Sequence, residues 1–375
     1  MKIIEQGNHS KQSEVNLSGG RIIGFDVARA IAILSMIIVN FKIVMEVDRT
    51  GTGQLVSLFK LLEGRAAATF VILAGVGLSL FSRQARLAND TKKIIQNRNT
   101  LFKRAIFLFI TGLLFNEVWP ADILHFYGVY IAIGALLLTA SDRRLWQIAV
   151  IFPVIFVILW IILDYDIGWN WETIEYHGVW TPVGMLRHLF FNGFHPVFPW
   201  TSFLLIGMWL GRRNLSDHGF RKKLLGYSLA VVIVSKGIST LFIYLFPDFG
   251  AVETPIYIGY LFGTDPMPPG PFYLLSAGGT ALIVITLCIM LTERFTTALW
   301  VKPFVATGQI SLTLYVAHVI VGMGTLEEMG LLYNQSSSFA IMAAGIFYAA
   351  SMGFALIWKR FFKLGPLEWG MRRLT

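Results

Sequence analysis

The chain of 375 residues is 55% hydrophobic and only 14% charged, with a mean hydropathy of +0.64. Soluble domains are about 25% charged, so this composition excludes an ordinary soluble protein and predicts one embedded in a lipid bilayer. The formal charge of +9 would suggest a nucleic-acid partner in a soluble protein. In a membrane protein its distribution over the loops matters more, and no nucleic acid is expected. The single cysteine, Cys288, excludes an intramolecular disulfide and a cysteine-based metal cluster.

Apolar segments recur along the chain and predict an all-α, polytopic fold with about ten transmembrane helices. We expect a single transmembrane domain over residues 21–375, preceded by a disordered cytoplasmic tail over residues 1–20. The second segment is interrupted by charged residues, which is compatible with a broken or re-entrant helix if the freed backbone is buried in protein. The predicted spans are 22–44, 55–82, 102–118, 123–140, 146–163, 197–211, 224–246, 271–291, 304–321 and 337–358.

The loops between these spans alternate in charge. One set, the basic loops, holds most of the 31 Lys and Arg residues. In the other set, the acidic loops, the only Lys or Arg residues are Arg49 and Arg187. Because cytoplasmic loops carry the excess of positive charge, we expect the basic loops and both termini to be cytoplasmic. The basic loops are the two tails, 83–104, 141–145, 212–223 and 292–303; the acidic loops are 45–54, 164–196, 247–270 and 322–336.

The first span carries three polar residues in an otherwise apolar segment. At about 100° per residue, Asn40 lies about 20° from Arg29 and about 40° from Asp26 around the helix. Asp26 and Arg29 are three positions apart and can pair with each other. Charged groups within a span are costly unless they are paired and turned inward. The stripe is compatible both with an ion pair that orients the helix and with a polar path through the protein.

The ninth span predicts a second polar face. Four of its polar residues recur at spacings of four, four and three, and would share one side of a continuous helix: Thr307, Ser311, Tyr315 and His318. His318 could bond a neighbouring helix or take part in chemistry. We predict that the first and ninth spans face each other, with Asn40 and His318 at similar depth in a shared cavity that Arg65 also enters.

Other polar residues lie near the outer ends of spans or within them. Asp122 precedes His125 by one turn and could orient its ring as a carboxylate orients a general-base histidine, or could simply cap the helix. His195 starts a proline-interrupted segment that is compatible with either a site or a turn. Arg65 is at about mid-bilayer depth, where it needs an anion or a partner such as Asp26. The sequence contains no residue spacing typical of a metal or nucleotide site.

Five stretches together resemble a known family. GFDVARAIAILSMIIVNF, LLEGRAAATFVILAGVGLSL, HPVFPWTSFLLIGMWLGR, TGQISLTLYVAH and GPLEWGMRR occur in this order between residues 24 and 373. They are similar to the YeiB-like bacterial multipass membrane proteins, and the GPLEW stretch is the most telling match. That family resembles, more distantly, the transmembrane acyltransferases that include heparan-α-glucosaminide N-acetyltransferase. Those enzymes move an acetyl group from cytosolic acetyl-CoA to a sugar across the membrane.

The resemblance implies acyl transfer in the bacterial inner (plasma) membrane, from an acyl-CoA-type donor such as acetyl-CoA to an extracytoplasmic glycan or similar acceptor. No permanently bound cofactor is implied. Asp26 and Arg29 match a D-x-x-R motif, and Asn40 matches an asparagine of the relatives' active site. The relatives' catalytic histidine follows that asparagine in the next loop, whereas residues 41–57 contain none. The remaining candidates for catalysis are His318, His125 with Asp122, or His195. The candidates for substrate contacts are Arg65, Asp26, Arg29, Tyr315, Ser311 and His195.

Other classes of function stay open at this point. A transporter would use the same polar stripes to bind and pass a small polar solute or a proton. A membrane scaffold would use them only for helix packing. The oligomeric state is not determined by the residues, and a homodimer is one expectation.

The predicted topology can be tested by labelling single cysteines from each side of the membrane. In a Cys288→Ser background, Ile95→Cys should react only from the cytoplasm, because the loops rich in Lys and Arg stay inside. Trp180→Cys and Tyr260→Cys should react only from outside. Reaction of residue 95 with an impermeant reagent in intact cells would overturn the arrangement.

Overall fold

The computed structural model describes residues 21–47, 54–171, 173, 175–246 and 257–375. The predicted tail and parts of the acidic loops lie outside the described residues. Helices make up most of the rest, which confirms the all-α class. The α-helices are α1 (Ile23–Val44), α2 (Gln54–Leu62), α3 (Arg65–Phe81), α4 (Arg83–Leu87), α5 (Thr91–Asn116), α6 (Leu124–Leu136), α7 (Asp142–Ile162), α8 (Pro182–Arg187), α9 (Val197–Leu210), α10 (His218–Leu245), α11 (Tyr257–Phe262), α12 (Pro271–Arg294), α13 (Val301–Gln309), α14 (Ser311–Ala317), α15 (Gly324–Glu328), α16 (Ser337–Phe361) and α17 (Pro366–Leu374).

Two short π-helical segments and one small hairpin complete the described structure. The π segments are His188–Asn192, after α8, and His318–Met323, after α14. The antiparallel hairpin pairs β1 (Trp169–Asn170) with β2 (Glu175–Tyr176) in the acidic loop 164–196.

Each of the ten predicted spans coincides with helix, but the helices differ in length. Six described units are long and apolar enough to cross a membrane: α1, Leu58–Phe81 across α2 and α3, α7, α10, α12 and α16. The bent pair α13 and α14 makes a seventh if it is counted as one span. Helices α6 and α9 have only 13 and 14 residues, and the first half of α5 is polar and charged. The prediction of about ten spans is therefore confirmed only in part.

Helix α1 lies at the centre of the bundle, where it packs against α3, α12, α13 and α16. Small buried residues such as Ala28 and Ala32 allow this close packing. At Gly308 of α13, an added Cβ would clash with the Asp26 carbonyl group, so the two backbones touch there. Helices α7 and α10 instead expose apolar side chains such as Val154 and Ile233, as expected of helices that face lipid.

The second predicted span is interrupted, as the sequence indicated. The break between α2 and α3 falls at Glu63 and Gly64, and Gly64 has a φ of +67°. Glycine adopts this left-handed conformation without steric cost. A Cβ at this position would also clash with the Tyr273 hydroxyl, so a glycine is required for two reasons.

The ninth predicted span is also broken. Helices α13 and α14 are bent by 76° at Ile310. Because the helix is not continuous, Thr307 does not continue the polar face of Ser311 and Tyr315, and its hydroxyl donates to the Pro303 carbonyl at 2.9 Å. The prediction of one uninterrupted stripe on this span is therefore wrong.

Glu368 of α17 satisfies the backbone groups that this break exposes. Its Oε1 accepts hydrogen bonds from the Leu312 and Thr313 amides at 2.8 and 3.3 Å, and its Oε2 accepts from the Thr313 hydroxyl at 2.5 Å. The first amides of a helix have no partner within the helix, and a carboxylate there also opposes the helix dipole favourably. The closing GPLEW stretch thus caps the second half of the broken span.

Contacts between loops follow the predicted charge sets. Within the basic set, Arg212 Nη1 lies 2.9 Å from Asp142 Oδ1. Within the acidic set, the Gln335 amide donates to the Met45 carbonyl at 3.2 Å. Loops of one set therefore come together, as alternating spans require. Which set faces the cytoplasm stays a prediction.

We expect Glu368→Ala to destabilise the fold, because it leaves the amino end of α14 without its cap. Loss of such a cap costs about 1 kcal/mol, so the midpoint of thermal unfolding in detergent should fall by about 1–2 °C. Glu328→Ala removes an exposed carboxylate from α15 and is the matched control. Equal midpoints for the two variants would contradict the capping role.

Candidate functional site

A hydrogen bond joins the carboxyl-terminal part of α1 to the segment after α14. Asn40 Nδ2 lies 2.9 Å from His318 Nε2, so the predicted contact between the first and ninth spans is confirmed. His318 Nδ1 contacts the Tyr315 backbone carbonyl oxygen, which can only accept, and Nδ1 therefore carries the proton. Nε2 then accepts from the Asn40 amide. The ring presents Nε2 as its basic atom.

His318 occupies an unusual position in the backbone. It is completely buried and is the first residue of the π segment His318–Met323. Single π turns within helices occur frequently at functional sites, because they re-aim the side chains that follow a regular turn. His188 likewise starts the other π segment.

A second polar cluster is joined to this pair through Tyr315. The Tyr315 hydroxyl donates to Asp122 Oδ1 at 3.1 Å and accepts from the Ile123 amide at 3.2 Å. Asp122 Oδ2 lies 3.0 Å from His125 Nδ1 and also accepts from the Leu124 and His125 amides at 2.8 and 3.2 Å. Asp122 therefore both caps the start of α6 and holds the His125 ring, so the two interpretations of this residue hold together.

His125 belongs to a cluster of three histidines beneath the acidic loop 164–196. The His125 and His188 rings stack with centroids 5.5 Å apart, and Phe126 contacts the rings of both His188 and His195. Burial, and the nearby His125, lower the pKa of His188 and of His195 to about 3, so both rings are neutral near pH 7. Among the described residues, no group of three or more His, Cys, Asp and Glu could hold a metal ion.

Asn192 holds the acidic loop 164–196 against the three histidines. Its Nδ2 donates to the Tyr165 carbonyl at 2.8 Å, its Oδ1 accepts from the Tyr176 hydroxyl at 3.0 Å, and its carbonyl accepts from the Trp169 indole at 2.7 Å. Asn192 is completely buried. Neither Asn192 nor His188 was predicted as a site residue. The density of aromatic residues in the loop was the one sequence signal for an ordered structure there.

At the other end of α1, the predicted ion pair is present. Arg29 Nη1 lies 2.9 Å from Asp26 Oδ1. Arg21 adds two hydrogen bonds to the same carboxylate, at 2.8 and 3.0 Å. One carboxylate thus lies between two guanidinium groups, which leaves this trio with a net positive charge.

Arg65 lies apart from these groups. Its Nη1 donates to the Lys60 and Glu63 carbonyls at 3.0 and 3.2 Å, and its Nη2 donates to the Ser276 hydroxyl at 3.3 Å. A cation at the carboxyl end of a helix, here α2, is favourable because it neutralises the helix dipole. Arg65 therefore supports the break between α2 and α3, and its predicted place in a cavity with Asn40 stays a prediction.

A cavity of about 190 Å³ lies beside α1, between the Asp26 end and the Asn40 end. Arg29 of α1 lines it together with Ser311 and Tyr315 of α14, so polar residues of the first and ninth predicted spans do share a cavity. Most of its other lining residues are apolar, including Phe70 and Ala74 of α3.

Residues 21–248 match a family model described as heparan-alpha-glucosaminide N-acetyltransferase, catalytic. The chain belongs to this family. Residues 212–375 match a second model, described as a protein of unknown function (DUF418). The protein is thus a multipass membrane protein of an acyltransferase-like and YeiB-like type. No curated protein matches the chain.

The two matched regions each supply one part of the polar pair in this acyltransferase-like protein. Asn40 and the Asp122–His125 pair lie in the acetyltransferase-type region, whereas Tyr315 and His318 lie in the second region. The imidazole beside Asn40 therefore comes from a part of the chain outside the acetyltransferase match. Residues 41–57, which follow Asn40, contain no histidine, so an imidazole beside Asn40 has to come from another part of the chain.

We expect Asp26→Ala to destabilise the protein more than Arg29→Ala. Asp26 pairs with two guanidinium groups, whereas loss of Arg29 leaves Asp26 paired with Arg21. Breaking a buried pair costs about 3–5 kcal/mol, and Asp26→Ala should lie in that range. In detergent melting, the double variant should be less destabilised than the sum of the single variants. Strict additivity would show that Asp26 and Arg29 do not interact.

Proposed function

We propose that the protein is an acyltransferase of the bacterial inner membrane. It would move an acyl group from a cytosolic acyl-CoA-type donor to a hydroxyl or amine of an extracytoplasmic glycan or similar acceptor. The Asn40–His318 hydrogen bond carries this proposal. It joins an asparagine of the acetyltransferase-type region to an imidazole whose basic nitrogen points at it. The family match supports acyl transfer as the class of reaction.

His318 is the proposed general base. As the acceptor oxygen or nitrogen attacks the thioester carbonyl, Nε2 takes its proton. In the resting protein Nε2 is occupied by the Asn40 amide, so the acceptor has to displace that amide. Both N–H groups of Asn40 are then available to the tetrahedral oxyanion.

Collapse of the tetrahedral intermediate completes the transfer. The carbon–sulfur bond breaks, and the proton on Nε2 passes to the departing CoA thiolate. The products are the acylated acceptor and free CoA, and His318 returns to its neutral form. Burial of His318 strengthens the electrostatic interactions with the oxyanion, because little water screens them on that side.

In this proposal Asp122 positions the general base, and His125 belongs to the histidine cluster that contacts the acceptor. Asp122 bonds the Tyr315 hydroxyl, and Tyr315 in turn holds His318 Nδ1 through its carbonyl, so Asp122 acts on the base through one residue. The neutral rings of His188 and His195 suit hydrogen bonds to hydroxyl groups of an acceptor. The acceptor would reach these rings from the side of the protein that carries the acidic loop 164–196.

The polar groups along α1 are paired with protein groups, which favours acyl transfer over transport. Asp26 is paired with Arg21 and Arg29, and Asn40 is bonded to His318. The cavity between these ends is mostly apolar in its lining. A hydrated solute or a proton relay needs a series of polar partners, which this lining does not supply.

We expect His318→Gln to lower kcat/KM for acyl transfer by about 10²–10⁴-fold, the range for loss of a general base. Asn40→Ala should lower it by about 10²–10³-fold, as for loss of an oxyanion donor. Release of free thiol from acyl-CoA, with an amino sugar as acceptor, measures the rate in purified protein. His177→Gln changes an exposed histidine of the acidic loop 164–196 and should retain full activity.

Two outcomes would revise the proposal. If His125→Gln abolishes transfer and His318→Gln does not, the base is His125. In sealed proteoliposomes with acyl-CoA outside, the labelled acyl group should appear on an acceptor inside while the outer thioester is consumed. Movement of solute without loss of thioester would contradict acyl transfer and favour a transporter.

A further inference from the structure

The cavity beside α1 leads toward the Asn40–His318 pair. Met36 lines it and precedes Asn40 by one turn, and Tyr315 lines it and precedes His318 by three residues. At 1.5 Å per residue, these steps are about 6 Å and about 4.5 Å along the helices. From Met36 the cavity follows α1 for about 10 Å to Arg29. One end of the cavity therefore lies within a turn of the pair, and the other lies at a guanidinium group.

The wall between these ends is largely hydrocarbon. It is formed by side chains from four further helices, among them Phe70, Ala74, Leu108, Ile131 and Met371. The Tyr315 hydroxyl is already bonded to Asp122 and to a backbone amide. The other hydroxyls of the lining belong to Tyr127, which is without a hydrogen-bond partner among the described residues, and to Ser311. Along the rest of the wall, polar groups of a ligand would lose their water without gaining partners, which is unfavourable. The amides of a pantetheine arm therefore fit this cavity poorly, whereas an alkyl chain fits it well.

We infer that the cavity holds the alkyl chain of the transferred acyl group, so that the preferred group is longer than acetyl. The inference rests on the proposed acyl transfer at Asn40 and His318. The carbonyl carbon lies at the pair, and the chain extends along α1 toward Arg29. An apolar protein cavity of about 150 Å³ takes one benzene ring. By that measure a cavity of about 190 Å³ takes a chain of about six to eight carbons.

The volume of the cavity limits the chain length, and the charge of Arg29 ends the hydrocarbon part of the cavity at its far end. Each methylene buried in the hydrocarbon part of the cavity should strengthen binding by about fourfold. A chain that reaches Arg29 places hydrocarbon against a charged, partly hydrated group, so further methylenes gain no such increment. Affinity should therefore rise from acetyl to medium-chain groups and then level off.

Two thioethers that cannot be hydrolysed, S-ethyl-CoA and S-octyl-CoA, test the inference without turnover. With purified wild-type protein, S-octyl-CoA should bind at least about tenfold more tightly, measured from the ligand-induced shift of the unfolding midpoint at several concentrations. Ala74→Phe fills the cavity and should abolish this preference. Leu80→Phe, on the exposed side of α3, is the matched control and should keep it. If Ala74→Phe does not fold, Ala74→Leu should change the preference in the same direction.

The outcomes separate this inference from the proposed function. Equal binding of the two thioethers by the wild-type protein overturns the inference and leaves acyl transfer intact. A preference that survives Ala74→Phe in folded protein overturns it as well. Binding of neither thioether overturns the CoA-type donor, and with it the inference. In an active preparation, Ala74→Phe should reduce kcat/KM for octanoyl-CoA more than for acetyl-CoA, and equal reductions would contradict the assignment of the cavity.

Discussion

The arrangement of this protein depends on one constraint: the bilayer core contains no water to solvate the polar side chains of α1. Each such group must be satisfied within the protein. Asp26 is neutralised by Arg21 and Arg29, and Asn40 is bonded to His318. Because the polar groups lie along one side of α1, that side has to face protein. The central position of α1 in the bundle follows from this requirement.

The opposing surface is built from a broken helix, and the break is itself stabilised by distant residues. Gly308 lets α13 approach the backbone of α1, and Glu368 caps the amino end of α14 after the bend. The π segment that starts at His318 then re-aims the side chains that follow. A straight ninth span would satisfy its own backbone without Glu368, and its polar side chains would lie on one face. The bend and the π turn thus interrupt the regular helix, and they place the His318 imidazole in a defined position.

Tyr315 connects the two polar clusters of the candidate site. Its carbonyl accepts from His318 Nδ1, and its hydroxyl bonds Asp122, which holds the His125 ring. Both imidazoles are therefore oriented through their Nδ1 atoms, which leaves Nε2 as the basic atom in each. In a buried environment such hydrogen bonds are stronger than in water. The geometry supports proton transfer near Asn40, beside a cavity whose lining suits hydrocarbon rather than polar solutes.

The sequence by itself determined the properties that depend on neighbouring residues. Composition showed that the chain enters the membrane, and helical spacing identified the α1 stripe and the Asp26–Arg29 pair, because residues three or four apart meet on any regular helix. The facing of the first and ninth spans also followed, since two polar faces avoid lipid by meeting each other. The lengths of the short helices, however, did not follow from hydropathy alone.

Only the tertiary structure decided the features that join residues distant in the chain. Asn40 and His318 are 278 residues apart, so the bond between them and the tautomer it selects depend on how the helices pack. The bend at Ile310 interrupts a spacing that reads as one helix, because Gly308 and Glu368 stabilise a different backbone path. Arg65 bonds to carbonyls that are free only because α2 ends there. These contacts arise from the packing of whole helices, and the spacing of residues in the sequence does not predict them.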